Sequence, residues 1–195
     1  MIKSDMIFIA SGNPHKIEEL KQILNPRGIK LKSTLDYPDA EEVVEDKPDL
    51  EGNALKKVRY WHEITGLPSL SDDTGLEVEA LDGSPGVYSA RYAGEQATYE
   101  QNTQKLLSEL EGNENRSARF RTVVAFIDDK GEEHLFEGIC EGKILEQPKG
   151  DKGFGYDPVF QPIGYEKSFA ELSGEEKNRI SHRGIAIQKF LRYLK

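Results

Sequence analysis

Asp72 and Asp73 stand side by side in SDDTG, residues 71–75, at the end of an apolar approach. Adjacent carboxylates repel each other and are poor strand formers. Either they lie on a solvated turn, or they hold something positive. Glu45 lies upstream in an acidic stretch. Hard cations such as Mg2+ take two or three carboxylate oxygens and usually keep waters and substrate phosphates as their other ligands. Lys56 and Lys57 follow the acidic stretch. Lysines there ordinarily face water, but one turned back toward the acids would neutralise phosphate oxygens.

Three further stretches carry donors or aromatic faces. SGNPHK, residues 11–16, links an apolar run to a helical pattern. Such a junction points backbone N–H groups outward, and the helix start favours anions. Gly12 permits close approach, Ser11 and Asn13 add hydrogen bonds, Pro14 suits the first helical turn, and His15 and Lys16 follow. The other reading is an ordinary turn with an Asn cap, since this is no Walker loop. KGFGYDP, residues 152–158, places glycines around Phe154, so the ring could stack on a flat ligand. Alternatively Phe154 and Tyr156 simply pack in a core, with Asp157 extended before proline. KNRISHRG, residues 177–184, gathers Lys177, His182 and Arg183 near a helix start. These donors suit the reading of a base edge better than nucleophilic catalysis. No Ser-His-Asp spacing and no HExxH motif is present.

The elements that must position these groups follow from periodicity. Residues 6–10 read as a buried strand and 14–24 as a helix with apolar Ile17, Leu20, Ile23 and Leu24. Residues 29–35 alternate like a strand, and 37–52 read as an acidic loop. A helix over 53–65 closes at Gly66 and Pro68. Two strands, over 67–70 and 76–81, flank SDDTG as a turn. Residues 98–112 form an amphipathic helix, 117–145 a hairpin through DDKG, and 173–195 become helical toward the C-terminus, with Ser181 as an N-cap. The order predicts an α/β or α+β protein with a mixed sheet, in one domain over 1–195.

The chain has 195 residues, a net charge of −9 and one cysteine, Cys140. Such acidity disfavours a nucleic-acid backbone as partner. One cysteine permits neither an internal disulfide framework nor a Cys-based zinc site. The short N-terminal apolar run is too short for a membrane segment, so no membrane partner and a cytoplasmic location are expected.

Taken in order, SGNPHK, GNALKK, SDDTGLEVEALDGSPGVYSARYAG, GFGYDPVF and ELSGEEKNRISHRG resemble the Ham1/inosine triphosphate pyrophosphatase family over nearly the whole chain. The resemblance implies an elongated mixed α/β sheet with two lobes and an active-site cleft between them. It also implies Mg2+ dependence, a nucleoside triphosphate substrate and a homodimer. By motif, residues 11–16 resemble the triphosphate-binding turn. Asp73 matches the catalytic base and metal-associated acid, and Glu45 the upstream metal carboxylate; Asp72 beside them would help keep the metal bound or tune Asp73 by like-charge coupling. Lys57 matches the lysine near the phosphates, and Thr74 a residue that contacts substrate. Phe154, Gly155, Tyr156, Asp157, Lys177, His182 and Arg183 match the nucleoside-binding set. Family members often read Glu-Asn-Ala before the helix lysine. This chain reads Gly52-Asn53-Ala54, with a glutamate at Glu51.

The implied reaction is Mg2+-dependent hydrolysis of non-canonical purine triphosphates (ITP, dITP, XTP) to monophosphate and pyrophosphate. Hypoxanthine and xanthine carry an acceptor oxygen at position 6, whereas adenine carries a donor. Donors at Lys177, His182 and Arg183 would therefore reject adenine, since an unpaired buried polar group costs about 1–3 kcal/mol. The competing readings are a non-catalytic purine-nucleotide-binding module and a two-carboxylate glycosidase. The latter lacks an aromatic sugar platform, its only tryptophan being Trp61 on a helix.

Overall fold

The computed structural model describes residues 6–195. Strand β1 (Met6–Ile9) is an unbroken apolar run, as a strand covered on both faces requires. Asn13 then caps helix α1 (Pro14–Leu24), whose Ile17, Leu20 and Leu24 are buried. The chain returns as β2 (Lys30–Ser33), parallel to β1 with Met6 opposite Lys30. Helix α2 (Leu50–Thr65) ends at Gly66, whose φ of 63° is the left-handed stop that glycine supplies most readily. It begins three residues earlier than the sequence suggests. Asp49 caps it by accepting from the Gly52 N–H, a signal hidden inside the acidic stretch.

Strand β3 (Ser69–Val78) is the main departure from expectation. SDDTG is not a turn between two strands but the middle of one continuous strand. Buried pairing of the two aspartates, described below, overrides their poor strand propensity. β3 begins parallel to β1, with Phe8 opposite Ser69, and ends antiparallel to the short β4 (Pro85–Gly86). Helix α3 (Tyr99–Glu109) follows, opened by a capping box between Thr98 and Gln101. β5 (Ser117–Ile127) and β6 (Glu133–Ile144) form the expected hairpin, and β7 (Phe160–Pro162) pairs antiparallel with β6. Helices α4 (Gly174–Ile180) and α5 (His182–Tyr193) close the chain. Ser181 between them has the extended backbone of an N-cap, with φ −71° and ψ 155°.

The seven strands run in the hydrogen-bonded order β2-β1-β3-β5-β6-β7, with β4 on β3, a mixed sheet as expected of an α/β chain. The chain divides into two compact units. The first runs to Asp73 and adds residues 122–138 and 183–195; the second comprises 74–121 and 139–182. Each has its own apolar core. In the first, Ile7, Ile9, Leu20, Phe126, Ile187 and Phe190 pack α1 and α5 on the sheet. In the second, Leu76, Leu106, Phe120, Ile144, Phe160 and Phe169 form the core, with α3 contributing Leu106. No helix among the described residues is long and apolar enough to cross a membrane.

Candidate active site

The first unit gathers a dense set of charges at the carboxyl end of β1 and within β3. Asp72 is 1% exposed and Asp73 5%. Burying two adjacent carboxylates without partners would be costly, so the positive groups around them decide whether the strand can form. The Lys16 ammonium lies 3.1 Å from Asp72 Oδ2. Arg183 donates to the same oxygen through Nε at 3.2 Å and Nη2 at 3.0 Å. Its Nη1 donates to Glu19 at 2.5 Å. Arg183 is 2% exposed, so this guanidinium is a core residue held between two acids.

Asp73 faces a different cation. Lys57 donates from Nζ to Glu45 Oε1 at 2.5 Å, to the Asp72 backbone oxygen at 2.8 Å and to Asp73 Oδ1 at 3.4 Å. One ammonium thus sits between Glu45 and Asp73, two of the three carboxylates expected to hold a metal; the third, Asp72, is engaged by Lys16 and Arg183 instead. The other oxygen of Asp73, Oδ2, is buried and accepts from no group among the described residues.

The electrostatics split the pair. Burial works against the Asp72 charge, but Lys16, Arg183 and Lys57 outweigh it and hold this carboxyl far below its ordinary 3.8. Burial raises the Asp73 carboxyl, Lys57 pulls it back, and the Glu45 and Asp72 charges add to the rise; the net direction is up. Burial likewise opposes Lys57, yet Asp73, Glu45 and Asp72 keep its ammonium above the usual 10.5. Neighbouring acids driven in opposite directions, with cations beside them, make this cluster a functional-site candidate.

The orphaned Asp73 oxygen tests whether a divalent cation suits these residues. A buried carboxylate oxygen without a donor, beside a second carboxylate on the same lysine, is the hard-oxygen donor set that Mg2+ prefers. The residues fit that ion.

The turn ahead of α1 is tightly tied. Asn13 Oδ1 accepts from the His15 and Lys16 N–H groups at 3.0 and 3.3 Å. Ser11 Oγ accepts from the Asn13 N–H at 3.3 Å, and Thr34 donates to the Ser11 carbonyl at 2.6 Å. Pro14 starts the helix, Gly12 leaves room beside Thr34, and Lys16 leads from this turn to Asp72. Ser71 Oγ donates to the Ala54 carbonyl at 2.6 Å, pinning β3 to α2.

The second unit holds the aromatic and donor set. Lys177 donates to Asp157 Oδ2 at 2.6 Å, both side chains being buried, and the same oxygen accepts from the Phe154 N–H at 2.9 Å. The Lys177 ammonium lies 5.0 Å from the Phe154 ring centroid. Gly153 has φ 72°, and a Cβ there would fall 2.0 Å from Asp157 Oδ2, so the loop closes only around glycine. Gly155 also has positive φ, at 63°. Tyr156 packs in the core and donates to the Ser89 carbonyl at 2.9 Å. Ser89 in turn accepts from the Leu76 N–H and donates to the Gly86 carbonyl. The SPGVYSARYAG stretch therefore acts as scaffold inside this unit. The His182 ring stacks on Phe120 at 4.5 Å. Thr74 follows Asp73 along β3.

Cutting the Asp157–Lys177 pair on one side leaves a buried charge uncompensated. Lys177→Met is expected to cost about 3–5 kcal/mol of stability, read as a lower urea midpoint with unchanged slope.

Sequence reasoning missed Glu19 and Asn53. Glu19 lies three residues after Lys16, hence on the same helix face, which is the signal that pairs it with the charge cluster. Asn53 is fully buried in the first turn of α2, and only its place inside GNALKK hinted at a role. A further set of metal-capable donors, Asp128, Glu132 and His134, lies at the β5–β6 turn. Asp128 Oδ1 there accepts from the Lys130 and Glu132 N–H groups at 2.8 and 3.0 Å, which accounts for it as a turn former.

The sequence pattern of the Ham1 family matches residues 7–193. A dITP/XTP pyrophosphatase of Desulfotalea psychrophila is 48% identical over 182 residues, spanning 93% of this chain and 82% of that protein. One from Christiangramia forsetii is 47% identical over 188 residues, spanning 96% and 98%. Among solved structures, the Ham1 protein of Staphylococcus aureus superposes with a TM-score of 0.85 at 38% identity over 97% of each chain. A HAM1 protein from Coxiella burnetii superposes with a TM-score of 0.87 at 37% identity, over 97% of this chain and 98% of that one.

Proposed function

The chain belongs to the Ham1 family, and we propose from that premise that it hydrolyses non-canonical purine nucleoside triphosphates to monophosphate and pyrophosphate. The names of its relatives support a hydrolase that clears dITP and XTP from the nucleotide pool. The single observation that carries the chemistry is the buried Asp73 carboxylate, raised in pKa and with one oxygen left without a donor among the described residues.

Asp73 and Glu45 would hold Mg2+, which when bound supplies positive charge to offset that building on the leaving pyrophosphate. The chain's own groups do the rest. Asp73 orients the attacking water toward the α-phosphorus and accepts its proton, a role suited to a carboxylate whose pKa lies above the ordinary range. Lys57 keeps both carboxylates facing each other across its ammonium. Asp72 anchors Lys16 and Arg183, so the lysine is held ready for a phosphate oxygen while remaining compensated in its absence. The turn at 11–16 presents the start of α1 to the phosphates. Phe154 to Asp157, Lys177 and His182 are assigned to the purine, the donors favouring a base with a 6-oxygen. Because both Arg183 hydrogen-bonding edges already face carboxylates, its assignment moves from the base to support of Asp72. A homodimer is the assembly we assign, from the family resemblance.

The test is pyrophosphate release from ITP, XTP, dITP, ATP and GTP, with and without Mg2+. Mg2+-dependent pyrophosphate, at least about 100-fold faster from the 6-oxo non-canonical bases than from ATP, supports the proposal. Orthophosphate instead of pyrophosphate would overturn the assigned bond. Tight nucleotide binding without turnover would reduce the protein to a binding module.

A further inference from the structure

Glu45 sits in a stretch, residues 41–47, with no helix or strand to fix it. A metal carboxylate on such a segment needs another source of order, because a ligand that must be ordered on binding loses affinity. The neighbouring first turn of α2 supplies one. Asn53 is fully buried, its Oδ1 accepts from the Lys47 N–H at 2.9 Å, and its Nδ2 donates to the Lys47 carbonyl at 3.5 Å. One amide side chain thereby grips both backbone groups of a residue two positions beyond Glu45. Lys57 lies one helical turn after Asn53, on the same face, and takes the Glu45 carboxylate at 2.5 Å.

Gly52 makes this approach possible. A Cβ on it would lie 2.8 Å from Lys47 Cβ and 3.1 Å from Lys47 Cγ, closer than packed carbons tolerate. Glycine is a poor helix former, so its place in the first turn of a helix calls for a reason of this kind. The reason is contact rather than an unusual backbone angle: residue 52 lacks a side chain so that the 45–47 segment can lie against the helix.

We infer that Gly52 and Asn53 are positioning residues that clamp the 45–47 segment to α2 and so set the Glu45 carboxylate for a divalent cation. The inference rests on the reading of Glu45 as a metal carboxylate given above, and deepens it. It makes residue 52 a determinant of metal affinity without contact to metal or substrate.

The test measures Mn2+ binding to the nucleotide-free protein by the loss of free-ion EPR signal, with thermal melting to verify folding. Gly52→Ala is expected to weaken Mn2+ binding about tenfold, the scale of lost support for a metal ligand. Glu45→Gln should weaken it at least as much, and the double variant no further than Glu45→Gln alone, because both act through one carboxylate. Lys47→Gly, which removes the obstructing Cβ, should restore binding in the Gly52→Ala background. With nucleotide present, Gly52→Ala should raise the Mg2+ concentration for half-maximal rate about tenfold and leave kcat at saturating Mg2+ near the parent value. If Gly52→Ala binds Mn2+ as well as the parent while Glu45→Gln does not, the clamp is wrong and the metal reading stands. Additive losses in the double variant, or no rescue by Lys47→Gly, also overturn the clamp. If Glu45→Gln itself leaves Mn2+ binding intact, the metal reading of Glu45 fails and the clamp with it.

Discussion

Asp73→Asn is expected to lower pyrophosphate release by about 10³-fold, the scale seen when one preorganised electrostatic group is removed from an active site. The same substitution should raise the melting temperature of the metal-free protein at neutral pH. The sign follows from the direction of the shift. Burial lifts the Asp73 carboxyl above its ordinary 3.8, so the folded chain takes up this proton more readily than the unfolded one. Its contribution to stability is present in acid and is lost as pH rises through the folded value. At neutral pH the charge is therefore a burden that asparagine removes. Asp72 behaves oppositely. Its carboxyl is held well below 3.8, so its contribution is present above that value and is lost as pH falls toward the folded one. Melting curves of the parent and Asp73→Asn should diverge at pH 7 and converge near pH 3, while assays of both variants follow pyrophosphate. A neutral-pH melting point lowered by Asp73→Asn would mean that its Lys57 contact outweighs the cost of burial. An activity retained within tenfold would remove Asp73 from the chemistry.

Arg183→Met should be the most destabilising single change in the first unit. It removes two of the hydrogen bonds on Asp72 Oδ2 and the Nη1 donor to Glu19, so both acids lose a buried cation that Lys16 replaces only in part at Asp72. Breaking a buried ion pair from one side costs about 3–5 kcal/mol, a large part of what a domain has to spare. Arg183→Lys should recover only part of the loss, since an ammonium cannot span Asp72 and Glu19 as the planar guanidinium does. Urea unfolding of both variants measures this directly. A base-reading role would predict another pattern, with KM for ITP raised and the unfolding midpoint unchanged.

Local signals in the sequence reached far into this fold. The Asn13-Pro14 pair is a helix start by its own chemistry, and the structure shows the cap and the N1 proline. DDKG was enough to place a hairpin, because a turn of that composition leaves the two strands little alternative. SDDTG misled for an equally physical reason. Taken locally, two aspartates and a Thr-Gly pair belong in a turn. Their partners are Lys16, Lys57 and Arg183, of which Arg183 is 111 residues away, and periodicity carries no information about a contact of that span. The gathering of Glu45, Lys57, Asp72 and Asp73 in one unit was legible through motif order, whereas the tie from Glu19 to Arg183 was not. The start of α2 was missed because Asp49 is one acid among several, and only the geometry reveals which of them caps the helix.

The charge cluster of the first unit also bears on when the protein becomes competent during its synthesis. Glu19 and Asp72 leave the ribosome early, and the guanidinium that neutralises both lies 164 and 111 residues later. Domains generally begin to fold from the N-terminal side while translation continues, but here Asp72 has only Lys16 and Lys57 as cations, and lacks its guanidinium, until α5 has emerged. For most of its elongation the nascent chain therefore holds Asp72 with weaker charge compensation than the finished fold gives it. Premature termination before Arg183 would then leave Asp72 and Glu19 without the guanidinium they share, a product expected to unfold more readily than the full chain and to be cleared.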